Sequence, residues 1–151
     1  MSKYLVDNPA ISPENYILSF ETRKVKALHI PSAQTFPNVL FDTPDNIKKS
    51  VFLNIDELSF IPLQPYFHMY VDSFMQVQIY DTNLCATYIY RSSIQKYLGI
   101  NSQTSVYGDV IIFGSVSTKD QDSYMIDYSV PYEVIEQVSR YYDFNMVLHD
   151  Q

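Results

Sequence analysis

The side chains able to do chemistry are few and scattered in this chain of 151 residues. Its three histidines are His29, His68 and His149, and none shares one element with a second histidine, a cysteine or a carboxylate at ligand spacing. His149 and Asp150 adjoin, but a site in the last three residues would be held loosely. No metal site is expected. The single thiol, Cys85, lies between Leu84 and Ala86, the setting of a buried structural cysteine rather than of a nucleophile. No Gly-x-Ser-x-Gly elbow occurs, and three glycines in the whole chain leave no glycine-rich cradle for a phosphate or a dinucleotide. No cofactor is therefore expected. Carboxylate pairs such as Asp120 and Asp122 fall on an expected loop, whereas a general acid needs burial. A small hydrolase or thiol enzyme acting through Cys85, Asp72 or Asp109 ranks last among the functional classes.

Binding chemistry is better represented. Between Tyr66 and Tyr80 the residues alternate strictly through two segments separated by Asp72-Ser73, the pattern of a β-hairpin. Phe67, Met69, Val71, Met75, Val77 and Ile79 fall on one wholly apolar face, which must be buried. The other face carries Tyr66, His68, Tyr70, Gln76, Gln78 and Tyr80. Tyrosines give large contact area at low entropic cost, so this face reads as a protein-binding patch. It reads equally as a surface half covered by a helix of the same domain.

Charge narrows the partners. Seventeen acids against ten Lys and Arg give a net charge of −7, and a surface for phosphate backbones needs clustered cations. Direct nucleic-acid binding is not expected. Residues 101–151 hold eight acids, Asp120, Asp122, Glu133 and Glu136 among them, against Lys119 and Arg140. Such a face either keeps the protein soluble or imitates a nucleic-acid backbone, as an acidic inhibitor of a host DNA- or RNA-binding protein would.

The remaining pattern places these residues on elements. Residues 1–13, with Pro9 and Pro13, read as an extended arm, and residues 14–151 as one domain. Strands are expected at Tyr16–Phe20, Val25–Ile30, Leu58–Leu63, Val110–Phe113 and Tyr124–Tyr128. Val110–Phe113, flanked by Gly108 and Gly114, has the unbroken apolar character of a strand covered on both faces. Thr43-Pro44-Asp45 opens a short helix to about Val51. Ser92 or Ser93 caps another that Gly99 ends. Ser129 and Pro131 open a third, in which Val134, Ile135, Val138, Tyr141 and Tyr142 recur at helical spacing. No apolar run approaches the roughly 20 residues of a membrane helix, and the first residues lack a secretory signal. The expected location is intracellular, in the cytoplasm of a host cell or in a virion.

Three short motifs add a resemblance. Met69-Tyr70-Val71-Asp72, Asn83-Leu84-Cys85-Ala86-Thr87 and Gly108-Asp109-Val110, preceded by Lys26–Pro31 and Phe60–Leu63, resemble the domain-of-unknown-function family 3846. The likeness covers about residues 25–117, with Asn54–Glu57 standing where that family has a glycine pair. That family occurs in phages, mobile elements and some viruses. The resemblance implies such an origin and no activity, and the matched Asn83, Thr87 and Gly108-Asp109 read as structural turn residues.

Together these readings predict an α+β fold, a single compact domain with a mostly antiparallel sheet of five to seven strands and two or three helices packed on it. The expected function is non-enzymatic binding of a protein partner, whether self, virion or host, through the tyrosine-rich face, without membrane contact.

Overall fold

The computed structural model describes residues 23–33, 36–64, 66–76, 81–118 and 121–149, with backbone alone at 116–118, 121–125 and 144–149. The expected arm and the Tyr16–Phe20 strand lie outside them. One antiparallel sheet runs through the molecule, made of β1 (Val25–Ile30), β2 (Asn38–Asp42), β3 (Leu58–Leu63), β4 (Phe67–Asp72), β5 (Val110–Thr118) and β6 (Gln121–Tyr128). Its order is β2-β1-β5-β4-β3, with β6 pairing the far half of β5. Among the described residues three helices, α1 (Pro44–Val51), α2 (Leu84–Leu98) and α3 (Tyr132–His149), cover its two faces. The chain is an α+β protein. Among the described residues no helix is long and apolar enough to cross a membrane.

Alternation along the strands assigns the two faces. Leu28, Ile30, Phe67, Met69, Val71, Val110 and Ile112 join Ile89 of α2 and Val134 and Val138 of α3 in the larger core. On the opposite face Val25, Ala27, Ile111 and Phe113 pack with Ile47 of α1 and with Phe52. Val110–Phe113 is fully buried, as an uninterrupted apolar run implies. Strand β5 nevertheless continues through Gly114 instead of ending there, because β6 pairs with it from Gly114 onward. A Cβ at Gly114 would lie 2.1 Å from the Ser129 carbonyl oxygen.

The helices start and stop on local chemistry. Thr43 accepts a hydrogen bond from the Asn46 amide, Pro44 occupies the first turn, and Asp45 pairs with Lys49 at 3.0 Å. Helix α2 begins eight residues before Ser92. Asn83 caps it, its Oδ1 accepting from the Ala86 amide, and Gly99 closes it in the left-handed conformation at φ +68°. Ser93 does not cap; its hydroxyl donates to the Gln64 carbonyl and accepts from the Gln64 amide.

The expected hairpin is the main correction. Its first segment is β4, which is flanked by β3 on one side and by β5 on the other. The Asp72 carboxylate accepts from the Phe74 amide and starts a single 3-10 turn, Ser73–Met75, where a hairpin bend was expected. Gln76 bonds the Tyr107 backbone through both ends of its side-chain amide. Residues 77–80, with Gln78 and Tyr80, lie outside the described residues.

Candidate functional site

The polar side of β4 was read as open to a partner or half covered, and the structure closes it. His68 is 0% exposed and Tyr70 is half-buried. His68 stands among Phe60, Tyr70 and Phe113, with ring centroids 4.6, 5.3 and 5.9 Å away, while the Lys48 ammonium of α1 sits 4.7 Å above the Tyr70 ring. Asp127 of β6 ties the group together. Its Oδ1 accepts from His68 Nε2 at 2.6 Å and from the Tyr70 hydroxyl at 2.8 Å, and its Oδ2 accepts from Lys48 Nζ at 3.0 Å. Burial pushes the Asp127 carboxyl up, but the His68 hydrogen bond and the Lys48 charge outweigh it and hold the group below its ordinary value. An ionised carboxylate only accepts, so His68 carries its proton on Nε2 and presents Nδ1 to Ser115 Oγ, 2.6 Å away.

Ser115, His68 and Asp127 thus follow one another in the order of a nucleophile, a base and its orienting acid. Proton transfer to a leaving group requires that group to reach the ring edge, and His68 is enclosed on every side. The network joins β4, β5, β6 and α1, with His68 enclosed and half-buried Ser115 at its outer end, where it lines a groove beside Tyr66. His68 and Tyr70, both expected to bind a partner, are held within it.

The residues behind the family resemblance also meet in space. Asn83 Nδ2 donates to the carbonyls of Ile30 and Gly108 at 2.8 and 2.9 Å, and the Asn83 amide donates to the Val106 carbonyl. The Thr87 hydroxyl accepts from the Val106 amide at 2.9 Å. Asp109 accepts from the Ser32 amide and hydroxyl on Oδ1 and pairs with His29 Nε2 at 3.0 Å on Oδ2. One buried asparagine therefore fastens the ends of β1, β5 and α2 together, and the turn roles read for these residues become long-range ones.

Cys85 is 3% exposed, and burial pushes its thiol up to about 12, against a smaller opposing effect of the Tyr142 hydroxyl. In the folded chain a maleimide near neutral pH is expected to leave Cys85 unmodified, with complete labelling after denaturation. Rapid labelling of the native protein, followed by mass spectrometry, would contradict this. Among the described residues no group of three or more His, Cys, Asp or Glu is placed to hold a metal ion.

One open groove lies at the β3 end of the sheet. A groove of about 420 Å³ runs between the β3–β4 turn and the last turns of α2, with Leu63, Tyr66, Ile94, Tyr97 and Leu98 among its walls. Tyr66 is 73% exposed, Leu98 63% and Tyr97 45%, and Ile100 follows just beyond. Gln64, Ser93 and Tyr97 also border a second, polar cleft of about 220 Å³ between α2 and α3, beside Lys96, Glu133 and Arg140.

Tyr66 holds φ +51°, a left-handed backbone that glycine adopts freely and that costs other residues roughly 1–2 kcal/mol. Among the described residues expected to make the contact, Tyr66 faces outward and borders a groove. Tyr97 and Leu98 were read only as the end of a helix. The pattern of solvent-facing apolar residues after Ile94 was the available signal.

Of the residues expected to form an acidic face, Glu133 and Glu136 both border the cleft between α2 and α3. Glu136 is paired with Arg140 one turn on, and Glu133 stands in the first turn of α3. The side chain of Asp122, on β6, and all of Asp120 are outside the described residues.

No family model matches the chain, and no curated protein does. A solved structure that this fold resembles is the crystal structure of small RNA methyltransferase HEN1, with a TM-score of 0.51 and 14% identity. The match covers 78% of this chain and 16% of that one, so the chain spans a small part of that protein's length. At this identity the likeness shows the fold alone.

Proposed function

We propose that the chain is a protein-binding module whose contact site is the groove between the β3–β4 turn and α2. Tyr66 carries the reading: an exposed tyrosine stands at a backbone position where glycine would be unstrained, and its ring borders the groove. Strain kept at a surface aromatic points to a role outside folding. Tyr97, Leu98 and Ile94 extend the apolar wall, and the polar cleft beyond supplies a charged and hydrogen-bonding rim, the division found in protein interfaces. The fitting occupant is an extended segment of a partner protein that places an apolar side chain between Tyr66 and Tyr97. Kinship with the domain-of-unknown-function family 3846, and with it a phage or viral origin and an intracellular location, belongs to the same proposal. Its support is the convergence of the matched motifs on Asn83.

Selection of displayed peptides against the purified chain tests the site. Enriched peptides are expected to lose affinity by about 30-fold when Tyr66 and Tyr97 are both replaced by alanine, the size of a hot-spot loss. Thermal stability should change little, since both rings are exposed. Enriched peptides that bind the double variant as tightly as the wild type would refute the groove.

A further inference from the structure

The two ends of the sheet are finished differently. At one end β3 carries Pro62, which has no amide proton to offer a further strand. At the other end lies β2, Asn38–Asp42, which among the described strands pairs only with β1. It contains no proline, no lysine and no bulge. Val39 is 58% exposed and Phe41 62%, both on the side of the sheet that carries Leu28, and Phe36 nearby is 61% exposed. Its sequence, Asn-Val-Leu-Phe-Asp, has the same chemical order from either end: polar, three apolar, polar.

We propose that β2 pairs antiparallel with β2 of a second copy of this chain about a two-fold axis at Leu40, so that the two sheets become one. In that register each Val39 lies opposite Phe41 of the other copy, a β-branched residue against an aromatic one, a favoured cross-strand pair. Asn38 lies opposite Asp42, an amide against a carboxylate. A pairing centred on Asp42 would instead place two carboxylates face to face and leave most of the strand unpaired. The contact is isologous, so it closes at two copies. A chain of net charge −7 repels its own kind, but β2 carries one acid alone, and Asp42 already accepts from the Thr43 amide and Asn46 Nδ2. A five-residue strand buries little area, which sets the association as weak and concentration-dependent.

Analytical ultracentrifugation of the intact chain tests this with a charge exchange. The wild type is expected to shift from monomer to dimer as its concentration rises through the micromolar range. Val39→Lys alone and Phe41→Glu alone should each be monomeric, because each homodimer would set a charge against an apolar side chain twice. Mixing the two variants should restore a heterodimer, in which the new Lys and Glu face each other and the native Phe41 and Val39 do likewise. A wild type that stays monomeric, a dimer indifferent to both substitutions, or a mixture that fails to associate would each overturn the proposal. A readout free of substitutions is hydrogen exchange in the wild type, where protection of β2 amides should rise with concentration and that of β3 amides should not. The groove lies at the opposite end of the sheet, so Tyr66→Ala should leave this equilibrium unchanged.

Discussion

Replacing Asp127 with alanine is expected to cost about 3–5 kcal/mol, the range for removing one partner of a buried ion pair. That is a large share of the roughly 5–15 kcal/mol by which a domain is stable. The loss is large because Asp127 serves three groups at once. Lys48, partly exposed at its tip, can turn back to water, but His68 is fully enclosed, and its Nε2–H would face a void. The same carboxylate sets an acid limit. Its pKa is depressed in the fold, so its contribution is complete above the ordinary carboxylate range and is lost as pH falls through the depressed value. Denaturant titrations at a series of pH values should show stability falling on acidification in the wild type and a flatter acid limb in Asp127→Asn. A loss below about 1 kcal/mol for Asp127→Ala, the size of an exposed pair, would mean the network is solvated.

Gly114→Ala is expected to destabilise the fold by about 3 kcal/mol, the upper end for overpacking. At this point β5 has Phe67 of β4 on one side and Tyr128 of β6 on the other. The chain leaving β6 crosses directly over the glycine, where the Ser129 hydroxyl accepts from the Lys26 amide and the Val130 amide donates to the Lys26 carbonyl. A methyl group at 2.1 Å from the Ser129 carbonyl oxygen has no flexible neighbour to displace, only backbone. Three layers of pairing would have to shift together. In a chain of this size the melting temperature should fall by roughly 6–12 °C. A melting temperature within about 2 °C of the wild type would show that the crossing is looser than described.

Where signals were short-range, the sequence could be read closely. Val25–Ile30, Leu58–Leu63 and Pro44–Val51 form where their β-branched runs and the Thr43-Pro44 cap place them. The failures share a cause. The polar side of β4 looks like a surface because its covers, Lys48 and Asp127, lie 59 residues from His68 in one case and 79 residues from each other. Nothing local announces that Lys48 will lean over Tyr70. Helix α2 was placed too late because Leu84–Tyr90 contains Thr87, Tyr88, Ile89 and Tyr90, weak helix formers held in the helix by the Asn83 cap and burial of Ala86 and Ile89. Strand β2 was missed because five residues give too short an alternation to register. Asp72 misled in the opposite direction: the turn residue was read correctly, and its turn is helical rather than a hairpin bend.

The site was half legible. Tyr66 stands out in the sequence for its phenol ring, and in the structure it borders the proposed groove because of its turn and the neighbouring helix end, not through a shared strand face with His68 and Tyr70. The proposal places the contact at the β3–β4 turn and not in the middle of β4 because Asp127 engages the Tyr70 phenol and the His68 imidazole.

Hydroxyl-radical footprinting of the tyrosines, read by mass spectrometry with and without a selected peptide, tests this division most directly. The predicted result is ready oxidation of Tyr66 and Tyr97 in the free chain, protection of both on peptide binding, and slow oxidation of Tyr70 in either state. Rapid oxidation of Tyr70 in the free chain with its protection by the peptide, and no change at Tyr66 and Tyr97, would contradict it.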